Sequence, residues 1–181
     1  KRLTPQPLLS SIQTAVVVGP AGEEIHTDKY GRVKVQFHWD REGRRDASSS
    51  CWIRVGTSIA GNKWGTMFIP RIGQEVIVDF MEGDPDQPII VGSVYNAERM
   101  PHYDLPKFKT MTYIKTRTSP DDGKGFNELR FEDKAGKEQV FVRSQKRYDL
   151  RARGSMYETC GGNRQEVIGV RSDDNPGGNL A

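Results

Sequence analysis

Four carboxylates, Asp79, Glu82, Asp84 and Asp86, crowd into one short stretch of the chain. A pair of such groups, one acid and one base or nucleophile, is what glycoside hydrolysis requires. Their setting argues for another use. Gly83-Asp84-Pro85-Asp86-Gln87-Pro88 holds two prolines without amide donors, and Asp in such a turn caps its own backbone. Gly83, Asp84, Pro85, Asp86 and Pro88 are therefore read as a structural turn.

The remaining reactive residues do not form sets. His26, His38 and His102 are too few and too scattered for a metal cage, which takes three or four ligands. Ser48-Ser49-Ser50 beside Cys51 has neither a Gly-x-Ser-x-Gly elbow nor an adjacent base. Gly61-Asn62-Lys63-Trp64-Gly65 lacks the Gly-x-x-x-x-Gly-Lys-Ser/Thr pattern of a phosphate cradle. Cys51 and Cys160 lie far apart without metal-ligand spacing and read as two reduced thiols. The expectation is a chain with no catalytic residue, no metal site and no cofactor.

Trp39, Trp52, Phe37 and Phe68, interleaved with Arg32, Lys34, Arg54 and Arg71, could stack bases and hold phosphates. Phe37 and Trp39, however, share the face of Val33 and Val35, and in a period-2 strand the apolar face is the buried one. Core aromatics are the better reading. The balance of 27 basic and 24 acidic residues, net +3, also gives little field for nucleic acid. An oligonucleotide-binding module and a cell-wall hydrolase stand as the alternatives to a structural role.

These residues sit on short strands. Hydrophobic residues make up 35% of the 181 and charged residues 28%, so the core must be small and part of the chain cannot bury itself alone. Five strand signals run from Thr14 to Asn96: Ala15–Val18, Arg32–Trp39, Cys51–Val55, Glu75–Met81 and Ile89–Tyr95. In the second, Arg32, Lys34, Gln36 and His38 face away from the apolar side and are candidate contacts to neighbouring protomers or domains. Five strands in this length fit the oligonucleotide/oligosaccharide-binding (OB) Greek-key barrel.

The boundaries expected are a leader over 1–11, the barrel over 12–97, an extended proline-rich connector over 98–127, and a second β region from 128 to 181. In the last, Val140, Tyr148 and Met156 are eight apart, as are Val142 and Leu150. Each beat carries too few apolar residues to close a core in one chain, so the region should intertwine with copies of itself. No apolar run approaches the ~20 residues that span a bilayer, and Lys1-Arg2-Leu3 does not open a signal peptide.

The stretches Asp28–Asp40, Trp52–Val55, Trp64-Gly65, Phe68–Val76 and Gly83–Pro88, continuing through Gly92 and Tyr95-Asn96, resemble the VgrG (valine-glycine-repeat) proteins. The likeness resumes at Asn127–Asp133 and Gly136–Gln139. These are spikes of type VI secretion systems, related to the central spike of contractile phage tails. The chain departs from the family pattern at Ile59, where an aromatic is usual, and after Val142, where the repeat is poor.

The resemblance implies an all-β protein: the barrel, the connector, then an intertwined trimeric β-helix needle, with the leader arriving from an upstream hub. It implies a mechanical function, a membrane-puncturing spike and effector carrier of an injection machine, with no enzymatic step. The 98–127 connector is too short for a phage-type lysozyme domain. Implied partners are two further copies, an inner-tube (Hcp-like) ring, a tip (PAAR-like) protein and effectors, with no nucleic acid and only transient membrane penetration. Assembly would take place in the bacterial cytoplasm, followed by secretion through the type VI apparatus. Val140, Val142, Tyr148, Leu150 and Met156 are the needle residues expected between copies.

Overall fold

A computed structural model describes residues 5, 7–120 and 123–167. The chain divides into two units, residues 1–145 and 146–181.

The first unit opens with β1 (Gln13–Val18), β2 (Lys34–Phe37), β3 (Arg54–Val55), β4 (Glu75–Phe80) and β5 (Pro88–Val94). They pair in the order β2-β1-β4-β5-β3, antiparallel except for the parallel β3–β5 pair. Val33, just before β2, and Ile53, just before β3, exchange two backbone hydrogen bonds of 3.0 and 2.8 Å. That exchange joins the first strand of the order to the last. The sheet curls into a five-stranded, partly open barrel of OB type whose outer strands meet at this one bridge.

Strict alternation makes the core. Ala15, Val17, Val33, Val35, Ile53, Val76, Val78, Phe80 and Ile90 all point inward and are buried. The barrel thus uses β-branched side chains that suit a pleated, enclosed surface.

Two expectations on the second strand are corrected. Trp39 is 63% exposed rather than inward, while Phe37, half-buried and stacked on Trp39 at 5.1 Å, still packs against the core. The reason is local: the Asp40 amide donates to the Phe37 carbonyl, so the strand has already become a turn and the alternation stops. Gln36, expected on the outward face, is buried. Its amide donates to the Asp40 carbonyl at 3.0 Å and its oxygen accepts from the Arg45 amide, so the following loop folds over it. Phe68 is likewise exposed.

The Pro-bounded turn is self-contained. Glu82 and Gly83 take positive φ values of 55° and 74°, and Met81 to Gln87 are tied by three backbone hydrogen bonds. The Asp84 carboxylate accepts from the Asp86 amide and the Gln87 side chain at 2.9 and 3.0 Å. Asp79 caps the Phe80 amide. The Asp79 and Asp84 carboxylates thus hold backbone amides.

The stretch expected as an extended connector contributes a strand of its own, β6 (Met111–Lys115). It pairs antiparallel with β7 (Glu128–Glu132), which pairs with β8 (Gln139–Arg143), forming a separate three-stranded sheet. In the second unit, residues 146–167 hold no strand. The end of the expected needle, 168–181, and parts of the leader lie outside the described residues.

Candidate assembly interface

The β6–β8 sheet is built inside out. Its register places Ile114 beside Leu129 beside Val142, and Thr112 beside Phe131 beside Val140. Successive residues of a strand point to opposite faces, so these six share one. That face is open: Ile114 is 52%, Val142 53% and Val140 66% exposed. Each such aliphatic or aromatic side chain gains about 2 kcal/mol on full burial. One copy of the chain leaves that gain unrealised.

The opposite face carries charge, and it is the covered one. Glu128 is only 4% exposed. The Tyr103 hydroxyl donates to Glu128 Oε1, and Arg130 Nη1 donates to the Tyr103 oxygen at 2.6 Å. Arg130 Nη1 lies 3.6 Å and Lys115 Nζ 3.8 Å from the Glu128 carboxylate. A buried carboxylate is tolerable only when it is hydrogen-bonded and paired, and Glu128 is both. Lys115 and Arg143 also sit over the Phe126 ring, and Arg130 over Phe141.

His102 bonds to Lys115 Nζ through Nε2, and its backbone amide donates to the Tyr113 hydroxyl. Burial, then the Lys115 charge, hold His102 below its ordinary value, while burial and the bond to Glu128 push Tyr103 up. Burial also lowers Lys115. The segment before β6 is thereby clamped to the charged face, while the apolar face stays open.

The barrel residues expected as contacts are placed differently from one another. Arg32 pairs with Asp28 at 2.7 Å, and Lys34 donates to the Ala47 carbonyl at 2.6 Å while lying over Trp52. Gln36 is buried. His38 remains half-exposed, 3.6 Å from Glu75, whose pKa is lowered first by the Asn96 hydrogen bond. In the second unit Tyr148, Leu150 and Met156 all present exposed apolar side chains. Sequence reading missed Thr112 and Ile114. Their alternation in Met111-Thr-Tyr-Ile-Lys115 was the available signal, masked by flanking prolines and turn residues.

A type VI secretion system/phage-baseplate injector OB domain matches residues 13–95, and the bacteriophage T4 gp5 C-terminal trimerisation domain matches 112–179. Barrel and inside-out sheet thus fall to two matches in the order of a contractile-injection spike. The spike protein VgrG1b of Pseudomonas aeruginosa is 53% identical over 166 residues, 91% of this chain and 22% of the relative. The chain belongs to the VgrG family. VgrG4b of the same organism is 50% identical over 168 residues, 93% of this chain and 21% of its own length. The actin cross-linking toxin VgrG1 of Vibrio cholerae is 52% identical over 145 residues, 80% of this chain and 13% of that protein. The chain spans about a fifth of the length of the VgrG spike relatives it matches. In this VgrG chain the trimerisation match starts at Thr112, inside β6, so the whole three-stranded sheet apart from Met111 belongs to it.

Proposed function

We propose that three copies of this chain join through the β6–β8 apolar faces and the 146–181 region to form the shaft of a membrane-puncturing spike, with the barrels as a collar above it. The observation that carries the reading is the exposed row Ile114–Leu129–Val142 beside Phe131–Val140, within the segment that matches a trimerisation domain. An intertwined β shaft pairs backbone between chains and leaves few edges, which suits a part that must be driven through a membrane without sticking. Stability then depends on association, and so on concentration.

The role is mechanical and non-enzymatic over this stretch. The proposed partners are two further copies, an inner-tube (Hcp-like) ring, a tip (PAAR-like) protein and effectors. Assembly takes place in the cytoplasm, and the type VI apparatus carries the spike out. The test is the solution mass of the 20.4 kDa chain. Sedimentation equilibrium or light scattering should return three times that value, and a folded monodisperse monomer at micromolar concentration would overturn the proposal.

A further inference from the structure

The longest barrel loop, between β3 and β4, projects a rigid hairpin. Ala60 and Gly65 form an antiparallel bridge, the Gly61 amide donates to the Trp64 carbonyl at 2.8 Å, and the Thr66 amide donates to the Ile59 carbonyl at 3.0 Å. Hydroxyls of Thr57, Ser58 and Thr66 lace its base. Gly65 holds φ +137°, and a Cβ there would lie 2.4 Å from the Ile59 carbonyl oxygen, so this turn requires glycine. At Gly61 a Cβ would fall 2.2 Å from the indole, which shows that the Trp64 ring is laid flat over that residue.

A fixed tip carrying an apolar ring is an unusual thing to hold in water. Trp64 is 69% exposed, and Ile59 and Met67 are also open. Preorganised aromatic anchors of this kind dominate protein interfaces, because little conformational freedom is lost when they dock.

The same unit has a groove of about 730 Å³ whose lining includes Ile25, Phe68, Ile69 and Ile72, the guanidinium groups of Arg99 and Arg117, and the carboxylates of Glu23 and Glu24. It lies between the end of the hairpin loop and the exit of β6. Arg99 Nε donates to the Gly73 carbonyl at 2.6 Å and Arg71 Nη2 to the Arg117 carbonyl at 2.7 Å, so the walls are tied together. An indole on apolar side chains flanked by guanidinium groups gains both burial and cation–π attraction. The chain's own Trp64 does not fill the groove, since it is exposed.

We propose that Trp64 of one copy seats in the Phe68–Ile72 and Arg117 groove of the next, locking the three barrels head to tail. The inference rests on the three-copy reading. Tip and groove are different surfaces, so the contact is heterologous, and rotational symmetry closes such contacts into a ring. The shaft match on the same chain supplies the second copy that must stand beside each barrel.

The test places a photo-cross-linking amino acid, p-benzoylphenylalanine, at position 64 of the full 181-residue chain, with solution mass measured in parallel. Irradiation should give covalent dimers and trimers, with the adduct mapping to 67–74 or 115–117 of a neighbour. A Trp64→Glu variant in a second experiment should keep the trimer mass while losing protection of the groove peptides from hydrogen exchange. A trimer whose cross-links map elsewhere, or that forms none, overturns the docking and leaves the shaft intact. A monomer by mass overturns both.

Discussion

Glu128 and Leu129 are neighbours in β7 with reversed fates: the carboxylate is 4% exposed and the leucine 36%. Water would choose the opposite arrangement. The reversal holds because Tyr103 and Arg130 satisfy the carboxylate, while the leucine row stays open.

Val140→Asp combined with Val142→Asp should abolish the trimer. Burying two unpaired carboxylates costs several kcal/mol apiece. Light scattering should report the monomer mass, while circular dichroism retains the barrel signal. A trimer that persists unchanged would mean these residues are not between copies.

Tyr103→Phe removes one donor to Glu128 and one acceptor from Arg130. The expected loss is about 1–3 kcal/mol, the cost of an unsatisfied buried polar group. Urea denaturation followed by far-ultraviolet dichroism measures it, and a change below about 0.5 kcal/mol would mean the network is immaterial.

Acid should loosen the segment clamped before β6. His102 faces Lys115 from β6, Glu128 and Arg130 from β7, and its own neighbour Tyr103; Arg143 of β8 reaches it only across Phe126. Its folded pKa lies below the ordinary histidine value of about 6.5, so the unfolded chain takes up the proton first. Stability is therefore full above that value and falls as pH drops towards the folded pKa. His102→Asn should flatten this slope below about pH 6.5 in thermal melts. An unchanged slope would locate the acid response elsewhere.

Ile53→Ala tests the barrel closure. Ile53 is 1% exposed and carries both bonds to Val33. The cavity should cost about 2–5 kcal/mol. Its effect should appear as a lowered urea midpoint for the barrel, with the shaft still trimeric by mass.

Much of the barrel was legible because its strands alternate cleanly, as in Val33/Val35 and Val76/Val78, and because Gly-Asp-Pro-Asp-Gln-Pro permits little but a turn. Trp39 was misplaced because alternation says nothing about where a strand ends, and the Asp40–Phe37 bond ends it. Gln36 was misplaced because its cover comes from a loop whose path local sequence does not encode. β6 was hidden for another reason. Its five residues lie among prolines, and they become a strand only through pairing with a partner distant in sequence. The buried Glu128 cluster could not have been read at all: it needs Tyr103, Lys115 and Arg130 brought together from separate segments.

The Val33–Ile53 exchange has a mechanical consequence. Tension that enters beside Gly83, where the Leu9 amide is bonded, and leaves past Tyr95 must cross a clasped sheet rather than an open ribbon. A ribbon can be peeled from its border one rung at a time. A clasp ties the border at one point, so peeling cannot begin there until both of its bonds have broken.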